Sequence, residues 1–102
     1  MSFFQDLFSR PPFDRQYKAE VEKLLDELVR VGREDDFLSE RPGGSFNGQC
    51  HHIRARQIGK RLHEIGGLEL MQWATKRVRR ILGAQLGTHL EYAWNEIGGW
   101  VP

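Results

Sequence analysis

The chain is 102 residues long, with 39% apolar and 28% charged side chains and a formal net charge of +1. That length suits one domain with its own hydrophobic core and is too short for two. The apolar share excludes an intrinsically disordered chain, and the near-neutral balance excludes a global field of the kind that drives polyanion or membrane-surface binding. No run approaches the roughly 20 apolar residues of a membrane-spanning helix, so a membrane partner is not expected. Charge is nevertheless uneven: residues 1–49 hold 7 basic and 10 acidic side chains, and residues 50–102 hold 8 and 4. With Cys50 as its one cysteine, the chain cannot close a disulfide on itself, which suits a reducing compartment. The N-terminus lacks the basic start and unbroken apolar stretch of a signal peptide, and a cytoplasmic location is the expectation.

The first segment, residues 1–13, is rich in phenylalanine. Ser2 and Gln5 match a capping box, and Phe3, Phe4, Leu7 and Phe8 recur at helical spacing until Pro11 and Pro12 stop the run. A short amphipathic helix is predicted, and its face of Phe4, Leu7 and Phe8 must be covered by the domain's own core or by another chain. Beyond it, Asp14 is a fitting N-cap, and Tyr17, Val21, Leu24, Leu28 and Val31 form one stripe with Leu25 at its edge. Gly32 is placed to end this helix in a left-handed cap. Residues 33–49 carry three glycines and a proline without sustained periodicity, and read as a long connection with a helical turn around 36–40.

A second helix is predicted from Gln49 or Cys50 to Ile65. Ala55, Ile58, Leu62 and Ile65 form its stripe, and Gly59 sits where a close helix approach would need it. Gly66 and Gly67 stop it. A third helix runs from Leu68 to Leu82 with Met71, Ala74, Val78 and Ile81 inward. A break or kink near Gly83 is favoured over one long bent helix across 68–97, and the last segment buries Leu86, Leu90, Ala93, Trp94 and Ile97. The pattern specifies an all-α domain, an irregular bundle of three to four main helices that is also compatible with helical-repeat-like hairpins. His63-Glu64-Ile65-Gly66-Gly67-Leu68 is echoed by Asn95-Glu96-Ile97-Gly98-Gly99-Trp100. The echo reads better as two similar helix ends, each followed by an apolar residue folding back, than as an ancestral repeat.

Motifs that carry chemistry are few. Cys50, His51, His52, His63 and His89 invite a metal, but neighbours 51 and 52 point about 100° apart on a helix, and 52 and 63 lie roughly 16 Å apart along one. His63-Glu64 opens like a zinc-protease motif whose second histidine is replaced by Gly67. No catalytic residue, metal ligand or cofactor is therefore assigned. Arg56, Lys60, Lys76, Arg77, Arg79 and Arg80 decorate the outer faces of the second and third helices and form a candidate surface for an anion or a nucleic acid. Trp73 lies on a flank beside Arg77. The leading expectation is a non-enzymatic interaction or scaffold module. It would meet another protein or a second copy of itself through Phe4, Leu7, Phe8 and Trp73. A nucleic-acid-binding domain and a ligand-binding or enzymatic domain centred on the glycine-rich loop and His52 and His63 are the alternatives.

Overall fold

Helical periodicity governs the chain that this computed structural model describes, residues 11–38 and 46–102, the side chains of 46–48 aside. The predicted N-terminal helix with Phe4, Leu7 and Phe8, and most of the glycine-rich connection, lie outside the described residues. After a 3-10 turn at Arg15–Tyr17, helix α1 spans Lys18–Glu34. Asp14 precedes that turn in extended geometry, but its side chain caps nothing. The helical run Phe46–Leu82 is interrupted at Gly67, whose φ of 69° divides it into α2 (46–66) and α3 (68–82). Gly83, at φ 102°, then separates α3 from α4, Ala84–Ala93. No strand occurs among the described residues, and the fold is all-α.

Side-chain contacts give the helices their directions. Arg61 pairs with Glu20 and Arg54 with Glu27, so α2 runs antiparallel to α1. Both partners are spaced by two helical turns, and the ladder fixes the register of the hairpin. Leu82 reaches Gly32 at the far end of α1, which means that the chain reverses again at Gly67. Arg79 pairs with Glu91, and Trp94 lies on Ala55 and Gly59, so α4 descends beside α3 and α2. Two hairpins, α1–α2 and α3–α4, thus share one core. Val21, Leu28, Ile58, Leu62, Met71, Val78, Leu90 and Trp94 are fully buried in it.

Trp94 is the centre of the α2–α4 seam. Its indole N–H donates to the Ala55 carbonyl at 2.8 Å, satisfying the one polar atom that burial would otherwise strand. A Cβ on Gly59 would lie 2.7 Å from the indole Cδ1, so this glycine inside a helix is the notch that admits the ring. Trp100 meets Trp94 edge to face at 5.8 Å and donates its own N–H to the Glu91 carbonyl.

Several expectations are corrected. Gly32 is not a left-handed cap: it is helical and buried, and a Cβ there would collide with Leu82 and lie 3.0 Å from the Phe37 ring. Ile81 is 46% exposed, and the inward positions of α3 are Leu70, Met71, Ala74, Val78 and the half-buried Leu82. The second helix begins at Phe46 and α1 reaches Glu34, so the predicted connection 33–49 is helical at both of its ends. Of the turn predicted around 36–40, residues 36–38 are not helical and residues 39–40 lie outside the described residues. The last helix ends at Ala93, and the chain continues through a turn with Glu96 at φ 73° and a 3-10 turn at Ile97–Gly99. The echoed glycine pairs end differently: Trp100 folds back and is 6% exposed, whereas Leu68 starts a new helix and is 38% exposed.

Candidate functional site

Two places bring unusual side chains together, one at each end of the helices. The first is a groove of about 940 Å³ where the chain enters α1. Its position follows from a close approach: a Cβ on Gly66 would meet the Pro12 carbonyl, so only glycine lets the entering chain lie against the end of α2. Pro11, Pro12, Phe13, Ile65 and Trp73 supply its apolar wall, and Asp14, Arg15, Lys18, Glu22 and Arg77 its rim. Trp73 sits one position off the buried stripe of α3 and is only partly covered. Phe13 packs edge to face on it with ring centroids 5.5 Å apart, and the Arg77 guanidinium lies 5.3 Å from its centroid. A half-covered tryptophan backed by arginine and an aromatic neighbour is the composition that interfaces favour.

The second place is the opposite end, where the chain leaves α1. Phe37 is fully buried there, in the notch made by Gly32 and Leu82. Three histidines hold the backbone around it through their Nδ1 atoms. His51 bonds the Asp35 carboxylate at 2.9 Å, His52 donates to the Phe37 carbonyl at 2.8 Å, and His89 bonds the Asp36 carboxylate at 2.8 Å. Sequence reasoning missed Phe37 and this cluster because residues 35–37 have no period, and their partners lie 15, 16 and 53 positions away. His63 is elsewhere, packed against Gly98, so His52 and His63 do not form a common site.

The basic candidates divide into engaged and free. Arg56 donates to the carbonyls of Ala93 and Asn95 at 2.7 and 3.0 Å, closing the C-terminal end of α4 where such groups lack helical partners. Arg79 donates to Glu91 and Thr88, Arg77 covers Trp73, and Lys60, Lys76 and Arg80 are exposed with no bonded partner among the described residues. Arg54 and Arg61, also on α2, are committed to α1. Hydrogen bonds from these guanidiniums hold the Glu27 and Glu20 carboxyls below their ordinary range, against the opposing push of burial. The same bonds raise both arginines further. Cys50 is free and exposed. Among the described residues no cluster of histidine, cysteine and carboxylates has metal-binding geometry, and no helix is long and apolar enough to cross a membrane.

No protein-family model, curated protein or solved structure matched this chain.

Proposed function

We propose that the chain is a non-enzymatic interaction module that associates with a second copy of itself, with the groove around Trp73 as the docking face. One observation carries this reading: the half-covered Trp73, between Phe13 and Arg77, lies in a groove whose wall includes Pro11. Residues 1–10 join the fold at that wall, and they carry Phe3, Phe4, Leu7 and Phe8. The occupant we assign is this segment from the second copy. It is too short to be a stable helix alone, and its apolar face needs a seat. We assign exchange between copies rather than folding back; a tight turn, closed by the Phe13 N–H donating to the Pro11 carbonyl at 2.8 Å, joins the segment to the groove wall. A cytoplasmic setting fits the free Cys50.

The nucleic-acid reading has weaker support, since Arg56, Arg77 and Arg79 are engaged within the fold and only three of the six candidates have no bonded partner among the described residues. An enzymatic reading has less still, with His52 and His63 apart. Isotope-filtered NMR on an equal mixture of labelled and unlabelled chains tests the proposal. Contacts between the phenylalanines of residues 3–8 and the Trp73 ring should appear between differently labelled chains. If those contacts arise only within one chain, the segment is an intramolecular cover and the proposal fails.

A further inference from the structure

The histidine cluster lies at the end of the molecule away from the groove and is not explained by the docking of a partner there. We propose that His51, His52 and His89 form a proton-responsive clamp that fastens residues 35–37, and with them Phe37, more tightly as the pH falls.

Geometry supplies the mechanism. The three imidazoles come from two different helices, α2 and α4, and converge on three consecutive residues of the segment leaving α1. Each acts through Nδ1, which can donate a hydrogen in the neutral and in the protonated ring, so the bonds themselves do not require a charge. What protonation adds is attraction toward the two carboxylates. His51 faces Asp35 and His89 faces Asp36, with imidazole side chains 29% and 26% exposed, where an ion pair is only partly screened by water. His52 faces a carbonyl instead of a carboxylate, and its Nδ1–H holds the segment in either charge state. Asp36 passes the effect to the backbone, because its Oδ1 accepts the Phe37 N–H at 2.6 Å while His89 holds the same carboxylate.

Among the described residues, Arg33 and Glu34, the last charged residues of α1, are exposed, α3 contributes the apolar Leu82, and Glu91 on α4 is taken by Arg79. Imidazole is the side chain whose charge ordinarily changes between about pH 5 and pH 8. The added fastening is therefore present toward the acid side of that window and lost toward the alkaline side.

Hydrogen exchange at the Phe37 amide reads the clamp directly, on the intact chain. After correction for the intrinsic rate, protection should be about fivefold greater at about pH 5.5 than at about pH 8, the size expected from two partly exposed ion pairs. The ratio should fall toward one in about 1 M salt, where the charge contribution is screened. His51→Asn with His89→Asn keeps a neutral donor near each Nδ1 position and should abolish the pH dependence while retaining protection at about pH 8. Protection independent of pH in the unaltered chain overturns the proposal. So does a ratio that survives high salt, or one that persists in a folded double variant.

Discussion

The two ends of this molecule handle exposed aromatic surface in opposite ways. Where α1 finishes, Phe37 fills the notch over Gly32 and is pinned by backbone and side-chain bonds from α2 and α4. Where α1 begins, Phe13 and Trp73 line a groove that the described residues cover only in part. Both ends depend on a glycine that permits close approach, Gly32 at one and Gly66 at the other. The difference is closure among the described residues: the first end buries Phe37 fully, and the second leaves Trp73 half-covered. Closed packing predicts energetic cost on truncation, while open packing predicts lost association with little change in the fold.

The largest expected effect tests the closed regions. Phe37→Ala should destabilise by about 3–5 kcal/mol, the range for emptying a buried aromatic site, and Trp94→Ala by a similar amount. Chemical denaturation measures both. Trp73→Ala should stay well below either on the same scale, and equal losses for Phe37 and Trp73 would erase the contrast between the ends. The next effect is overpacking. Gly32→Ala places a methyl group against Leu82 and the Phe37 ring and should cost about 1–3 kcal/mol, even though alanine is the better helix former. A stabilised Gly32→Ala would mean that the notch is not filled as described.

A smaller effect sharpens what joins the ends. The carboxyls of Glu20 and Glu27 are held below their ordinary range by Arg61 and Arg54. Their contribution is present above the unfolded-state value of about 4.3 and is lost as the pH falls through the lower folded-state value. Thermal unfolding of the unaltered chain should therefore lose stability on acidification through that window. Arg54→Gln with Arg61→Gln should lower stability at neutral pH and flatten the acid slope. The change should be modest, because the pairs are partly solvent-exposed.

Much of the helical architecture was legible because burial imposes a period. Val21, Leu24, Leu28 and Val31, and likewise Ala55, Ile58 and Leu62, occupy the stripes that their spacing predicts. Gly59 was readable as a notch for the same reason, although its occupant, Trp94, comes from a helix far along the chain. Local spacing fails where two answers share one pattern. A glycine after an apolar stripe serves equally as a cap or as a notch, and only the long-range contact with Leu82 and Phe37 decides for Gly32. After Val78, positions 81 and 82 both continue a helical stripe; Gly32 receives Leu82 and leaves Ile81 outside. The groove was half legible, since Trp73 and Arg77 stood out on a flank, but the wall formed by Phe13 and Ile65 depends on the reversal at Gly67. The clamp was hidden because histidine partners are set by tertiary proximity rather than by period.

The central functional claim is that the open end is an interface between copies. Light scattering across a concentration series, on the intact chain, on a chain lacking residues 1–10 and on Trp73→Ala, tests it most directly. The account predicts that the intact chain approaches twice its 11.9 kDa mass as concentration rises, while both altered chains remain monomers with undiminished helical circular dichroism. An intact chain that stays at 11.9 kDa at every concentration, or a dimer that persists in both altered chains, would contradict it.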